Sequence, residues 1–204
     1  MKSSLLALSI VAFAMPSLQA QTKPTVKVDI KAPKVSTIQT PQFQASNVPD
    51  KSWRPKDWLE IDMEFDIKLA TAAGGRNGSL ASMTVNFYLG MNAKSTDGKF
   101  QVLKGGFDYV DIPASEKCHA LAFVTPATLR RVLLKEGFTA GSDIKAWGVE
   151  VLVDGQRVAG ETSTGKAWWE DAATLNINDG VMLAKKDTPF AILWGDYDVG
   201  VKNK

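Results

Sequence analysis

One stretch decides the fold class: Trp58-Leu59-Glu60-Ile61-Asp62-Met63-Glu64-Phe65-Asp66-Ile67-Lys68-Leu69. From Leu59 to Leu69 every second residue is apolar, and every residue between them is charged. Successive side chains of a β-strand point to opposite faces of the sheet, so this spacing separates the two sets completely. A helix with about 3.6 residues per turn would mix them. The stretch therefore predicts a long strand with one apolar face and one charged face.

Shorter strand signals follow along the chain. The predicted strands cover residues 83–89, a segment from Phe100 with a bulge at Gly105-Gly106, residues 118–124, and residues 144–161 with a hairpin turn at Asp154-Gly155. A final hairpin is predicted from residues 181–183 and 190–194. Turn signals separate these short segments at regular intervals, as is typical of a two-sheet sandwich.

One segment predicts a helix. Thr125 can cap it, Pro126 suits the first helical position, Leu129 and Val132 share a face, and Gly137 closes it. The chain lacks the strand–helix–strand alternation of a parallel sheet. We therefore predict an immunoglobulin-like antiparallel β-sandwich with one crossover helix.

The first residues predict export. Lys2 precedes a short apolar run over residues 5–15, and Ala20 lies before a polar sequence. This pattern is typical of a secretory signal peptide, and the run is far shorter than the roughly 18–20 residues that span a bilayer. We expect residues 1–20 to be removed, leaving no integral membrane span. The mature chain is expected in the periplasm, at the cell surface or outside the cell.

The mature chain divides into an arm and a domain. Residues 21–52 are rich in Lys, Thr, Ser, Gln and Pro, which predicts an extended N-terminal arm or linker before a sandwich domain over residues 53–204. Within the arm, Val26, Val28 and Ile30 alternate with charged residues, as in a strand. An isolated strand needs an edge to pair with, either on its own sandwich or on a neighbouring molecule. These three residues are therefore candidate interaction residues, and strand edges a candidate route to a homo-oligomer.

Composition and motifs argue against several classes of protein. The 24 basic and 22 acidic residues are spread along the chain, so no nucleic-acid partner is predicted. Cys118 and His119 adjoin on a predicted strand and would point to opposite faces, which argues against a catalytic dyad. The segment 176–180 lacks the spacing of a calcium loop. We predict no catalytic residues, no metal and no cofactor. The alternating acidic residues of segment 60–66 are interpreted as the solvent-exposed face of their strand.

The six tryptophans are the most informative side chains. We expect core or edge packing for Trp58, Trp147 and Trp194, which lie in or beside predicted strands, because a sandwich without disulfides needs large core aromatics. Exposed in a row, tryptophans could instead stack on sugar rings. The adjacent pair Trp168 and Trp169 fits either role. The pair therefore joins the candidate interaction residues, and a glycan-binding module is the alternative function.

Several motifs resemble a secreted family of verrucomicrobial gut bacteria. They are residues 58–65, residues 125–131 (Thr-Pro-Ala-Thr-Leu-Arg-Arg), residues 149–155 (Val-Glu-Val-Leu-Val-Asp-Gly), residues 168–170 (Trp-Trp-Glu) and residues 188–191 (Thr-Pro-Phe-Ala). The family includes an immunoglobulin-like protein associated with a type IV pilus-like gene cluster. The resemblance implies a non-enzymatic role in pilus-like assembly or in surface interaction with the host. Its implied partners are other envelope or pilus-like components.

The N-terminus departs from that of type IV pilins. A pilin keeps a long apolar helix with a Glu near its start, whereas the apolar run here is short, contains no Glu and ends at Pro16. The departure favours an accessory or secreted partner over the filament-forming subunit.

Overall fold

The computed structural model describes residues 26–44, 46–49, 51–171 and 173–203, so the predicted signal peptide lies outside the described residues. In chain order the strands are β1 (Val26–Ile30), β2 (Lys34–Gln39), β3 (Asp57–Leu69), β4 (Ser79–Lys94), β5 (Phe100–Pro113), β6 (Cys118–Val124), β7 (Ile144–Val153), β8 (Gln156–Thr162), β9 (Leu175–Asn178) and β10 (Met182–Leu183). They form two sheets, β1–β3–β6–β10 with β2 also on β3, and β8–β7–β4–β5–β9. The predicted β-sandwich is confirmed. Its immunoglobulin-like topology stays a prediction.

The alternation that predicts β3 is present in the structure. Leu59, Ile61, Met63, Phe65 and Ile67 are all at most 2% exposed, and the charged residues between them lie on the outer face. The buried side chains pack against the inner face of the second sheet to form one core. Strand pairing within the sheets is antiparallel except between β5 and β9, which are parallel.

The N-terminal segment differs from the prediction of an extended arm. β1 and β2 pair end to end along the same side of β3, from Val26 opposite Leu69 to Gln39 opposite Asp57. Pro33 is buried where the two strands join. The average composition of residues 21–52 does not reveal these strands. A few alternating apolar residues are enough to form an edge strand on a sheet that already has a core.

The helix lies where the sequence places it, but it ends earlier. Helix α1 covers Pro126–Leu133, and Thr125 Oγ1 accepts a hydrogen bond from the Thr128 amide at 3.0 Å. Leu134, at φ 54°, ends the helix in place of Gly137. A second short helix, α2 (Ala140–Asp143), leads into β7. Among the described residues, no helix has the length and apolar character needed to cross a membrane.

The bulge predicted at Gly105-Gly106 is wrong. β4 and β5 stay in register there, and the shift lies instead beyond Gly90 of β4. The glycines have a packing role: a Cβ on Gly105 would lie 2.5 Å from the Met182 Cβ, and one on Gly106 would lie 2.6 Å from Asn86 Oδ1. These glycines therefore mark close approach of neighbouring side chains.

The final hairpin is also wrong in its second strand. Residues 190–194 form turns, and Phe190 is fully buried on the outer face of the first sheet, where its ring stacks on Phe123 at 5.0 Å. The Lys185 ammonium, buried in the same segment, binds the Asp198 carboxylate at 2.5 Å and the Trp194 carbonyl at 2.9 Å. This pair holds the C-terminal segment across the sheet.

The core role of β3 can be tested with two adjacent residues on opposite faces. Phe65→Asp places a charge without a partner at a site that is 2% exposed, and we expect a loss of at least about 3–5 kcal/mol in the free energy of unfolding. Glu64→Gln, on the outer face, should leave the midpoint of denaturant unfolding nearly unchanged. Equal midpoints for both variants and the parent chain would contradict the register of β3.

Pairing of the N-terminal segment can be tested by deletion and complementation. A chain that begins at Asp50 loses β1 and β2, with the buried side chains of Val26 and Val28, so we expect it to lose about 3 kcal/mol or more in stability. A synthetic peptide of residues 26–39 should restore part of the melting temperature, and the same peptide with both valines replaced by Asp should not. A truncated chain that melts like the mature chain would refute this pairing.

Candidate functional site

The predicted N-terminal interaction residues face the protein's own core. Val26 and Val28 are 5% and 7% exposed, Ile30 is half-buried, and all three lie in β1 against β3. The sequence left open whether this strand pairs with its own sandwich or with a neighbouring molecule, and in the structure it pairs with β3 of its own sandwich. The side chains of these residues are therefore packed inside the sandwich.

The Trp168 and Trp169 pair packs on the outer face of the second sheet. Trp169 is 5% exposed and stacks on the Tyr88 ring at 4.6 Å, with 9° between the ring planes. Trp168 is half-buried and meets Trp169 edge to face at 5.6 Å. Glycines make room for both indoles, since a Cβ on Gly148 would lie 2.1 Å from the Trp169 ring and one on Gly90 would lie 3.2 Å from Trp168.

Polar groups complete this aromatic cluster. The Tyr88 hydroxyl donates to Glu150 at 2.8 Å, and Arg157 lies 3.2 Å from the same carboxylate and 5.8 Å from the Trp169 ring centre. Burial, followed by the hydrogen bond to Glu150, raises the pKa of Tyr88 above its usual value. The structure thus gives the pair a packing role and leaves no row of exposed indoles at this position.

A cleft of about 460 Å³ lies where the β2–β3 loop meets the start of α1. Trp53, 49% exposed, and Trp58 supply aromatic walls, Pro126 supplies an apolar wall, and the exposed Arg54 and Lys56 supply cations. Neither of these basic side chains takes part in an ion pair among the described residues. From the sequence, Trp53 was considered only as one of the six tryptophans that could pack or stack on sugar rings, and the basic residues beside it were not used as a signal.

Hydrogen bonds fix the base of this cleft. The Thr40 hydroxyl accepts from Trp58 Nε1 at 3.1 Å and donates to the Lys56 carbonyl at 3.2 Å. The Thr40 amide also donates to the Lys56 carbonyl, at 3.0 Å, which closes the β2–β3 loop. The Thr125 hydroxyl is occupied by the α1 cap. A smaller cleft of about 270 Å³ adjoins the first and shares Lys56, Pro126 and Ala127 with it.

His119 belongs to a cluster that sequence reasoning missed. Its Nδ1 donates to Asp62 at 2.8 Å, the Tyr197 hydroxyl donates to the other oxygen of the same carboxylate at 2.6 Å, and the His119 and Tyr197 rings stack at 4.1 Å. Burial and the hydrogen bond to Asp62 raise the pKa of Tyr197. The three residues come from β3, β6 and the C-terminal segment, so only the strand register and the chain end bring them together.

The contacts of His119 indicate a structural role. The Cys118 thiol points into the core, as the alternation predicts, and burial raises its pKa to about 11. Among the described residues, the His119 ring hydrogen-bonds to the Asp62 carboxylate, and no hydroxyl or thiol group forms a hydrogen bond with the imidazole. The group therefore ties the C-terminal segment to the sheet.

Other candidate ligands are engaged within the protein. Asp179 pairs with Lys104 at 2.7 Å, and the Asn176 and Asn178 amides both donate to Gln101 in the β5–β9 pair. In the part of the chain that the structure describes, no group of three His, Cys, Asp or Glu side chains is arranged to hold a metal ion. Segment 176–180 is thus a strand and turn rather than a cation loop.

The packing role of the Trp168 and Trp169 pair can be tested at its glycine. Gly148→Ala forces a methyl group into the Trp169 ring, so we expect a fall of several degrees in melting temperature and a weaker near-ultraviolet circular dichroism signal. Gly141→Ala has nothing within 4 Å of the added methyl and serves as the matched control. If both variants matched the parent chain, the close packing of Trp169 on β7 would be disproved.

Comparison with known proteins gives a structural relative. A crystal structure of a protein from Akkermansia muciniphila aligns with 92% of this chain and with 100% of its own length, at a TM-score of 0.78 and 23% sequence identity. At that identity the likeness shows a shared fold alone. No curated protein matches the sequence.

A protein-family model matches residues 19–204, from the end of the predicted signal peptide to Lys204. The match takes in both sheets and the C-terminal segment that closes the first of them. Because it covers most of the chain, the protein belongs to the family that this model describes.

Proposed function

We propose that the mature chain is an exported, non-enzymatic protein of the cell envelope that acts in assembly or surface interaction beside a type IV pilus-like system. The signal-peptide pattern of residues 1–20 supports export. The motifs that resemble those of the verrucomicrobial family support the pilus-like setting. The family match and the fold shared with the Akkermansia muciniphila protein are consistent with that relationship.

The observation that carries a binding function is the loop between β2 and β3. Phe43 and Val48 are each 60% exposed, and Trp53 is 49% exposed. Exposed apolar side chains grouped in one loop are typical of interaction sites. Gln42 and Gln44 flank Phe43, so the surface mixes apolar and polar groups, as non-obligate protein interfaces do.

The groups that could support a reaction are engaged in structure. His119 and Tyr197 share the Asp62 carboxylate, and Glu64 is paired with Lys31 at 2.7 Å. The Glu64–Lys31 hydrogen bond holds the pKa of that carboxyl below its usual value. These contacts favour binding over catalysis on the acidic face of β3.

Sheet edges offer a route to self-association. β8 and β9 end the second sheet on its two sides, and no further strand among the described residues pairs with them. Exported bacterial subunits can associate by strand addition at such edges. We propose homo-oligomer formation through an edge as part of the assembly role.

A second candidate function, glycan binding, is favoured by one observation. The Trp53 indole is half-exposed beside a cleft, whereas the Trp168 and Trp169 pair is packed against the second sheet.

The assembly role can be tested by affinity capture. Mature protein recovered from its own envelope should begin at Gln21 by intact mass, and immobilised protein should retain pilus-like filament subunits or their assembly proteins. Phe43→Ser with Val48→Ser should reduce that retention at least tenfold, because the change removes the apolar groups of the loop.

Ile192→Ser is the control, since Ile192 is 74% exposed on a different turn. It should retain the same proteins as the parent chain. Capture that omits pilus-like components would overturn the proposed role. Equal capture by the loop variant would show that the interface lies elsewhere.

A further inference from the structure

We infer that the cleft beside Trp53 binds a saccharide chain that carries carboxylate or sulfate groups. The inference deepens the second candidate function by naming the site and the class of ligand. It can be tested separately from the pilus-like role, because the cleft variants replace Trp53, Arg54 and Lys56, whereas the capture variant replaces Phe43 and Val48.

The charge of the ligand follows from the donors that the cleft leaves available. Its neutral side-chain donors and acceptors, Thr40, Thr125 and Trp58 Nε1, are already hydrogen-bonded to the protein. Among the described residues, no ion pair engages the exposed Arg54 or Lys56, so the donors of these two side chains remain. A guanidinium and an ammonium bind carboxylate and sulfate oxygens more strongly than neutral hydroxyls, because the hydrogen bonds are charge-assisted.

The aromatic and apolar walls of the cleft favour a sugar ring as the ligand. Trp53 presents an indole face at 49% exposure, and Pro126 and Ala127 continue the apolar surface. The C–H groups on one face of a pyranose can lie on the negative face of an aromatic ring, while its hydroxyls stay in water. A volume of about 460 Å³ falls within the roughly 300–1,000 Å³ of ligand clefts.

The adjoining cleft favours a chain over a single ring. The two clefts share Lys56, Pro126 and Ala127, so a ligand stacked on Trp53 can continue across α1 towards Arg130. Arg130 is paired with Glu136 at 3.2 Å, and Asp57 also lines this second cleft. The anionic group of the ligand is therefore placed at Arg54, which lines the first cleft only, with Lys56 at the junction of the two clefts.

A membrane surface fits the loop less well than a glycan. Insertion into lipid needs a continuous apolar area, whereas Gln42, Gln44 and Lys51 line the same hollow as Phe43 and Val48. Polar and charged groups thus interrupt the apolar surface of the loop, and one indole beside two cations suits one ring with one charge.

The test is titration calorimetry on the purified mature protein with four ligands. They are hyaluronan oligosaccharides for the carboxylate, chondroitin sulfate oligosaccharides for the sulfate, dextran oligosaccharides as the neutral control, and vesicles with 30% phosphatidylglycerol. We expect binding to at least one anionic saccharide, weakening as salt rises, and none to dextran. The carboxylated and sulfated arms identify which anion the cleft takes.

Variants locate the site. Trp53→Ala, and separately Arg54→Ala with Lys56→Ala, should each weaken binding at least tenfold. The matched controls are Trp194→Ala, since Trp194 is 45% exposed elsewhere, and Arg76→Ala with Lys166→Ala, two exposed cations outside the cleft. The controls should bind as the parent chain does, and all variants should keep its circular dichroism spectrum.

Three results would overturn the inference: no binding to either anionic saccharide, equal binding to dextran, or binding to vesicles alone. Unchanged affinity in both cleft variants would also overturn it. None of these results bears on affinity capture of pilus-like components, so failure here and failure of the assembly role are separable.

Discussion

The alternation along β3 is the constraint on which the other elements depend. β3 pairs with β1 and β2 on one side and with β6 on the other, so three strands take their register from it. A shift of one residue would exchange its apolar face for its charged face, placing carboxylates in the core. The pattern that predicts the strand therefore also fixes how its neighbours pair. With β3 in place, the second sheet has an apolar surface against which to pack.

The charged face of β3 is more ordered than a solvated surface. Each carboxylate on this face contacts another side chain: Glu60 accepts from Ser36, Asp62 from His119 and Tyr197, Glu64 from Lys31, and Asp66 lies 3.7 Å from Lys68. Burial raises the pKa of the Glu60 carboxyl, and the hydrogen bond from Ser36 partly opposes that shift. Cross-strand pairing of this kind adds specificity to the register that the core already imposes.

Local patterns in the sequence predicted the parts of the fold that local physics decides. β3, the helix cap at Thr125 and the Asp154-Gly155 turn, whose residues both have positive φ, depend on neighbouring residues alone. The features that were missed or left open depend on distant partners: the β3 edge that pairs with β1 was left open, and Asp62 beside His119 and Phe190 on Phe123 were missed. The cleft at Trp53 belongs to the second group, because its walls come from segments about 70 residues apart in the chain. Single-sequence periodicity contains no information on such pairs.

The candidate binding surface lies at one end of the sandwich because other side chains cover parts of the outer faces of both sheets. Trp168 and Trp169 cover part of the second sheet, and the C-terminal segment covers part of the first through Phe190 and Tyr197. These aromatic side chains therefore pack against the sheets and do not form a flat binding face. What remains is the end of the sandwich, where the β2–β3 loop is closed at its base by Thr40 and Lys56. A loop with a fixed base can present Trp53 at one orientation, which lowers the entropy cost of binding a ligand there.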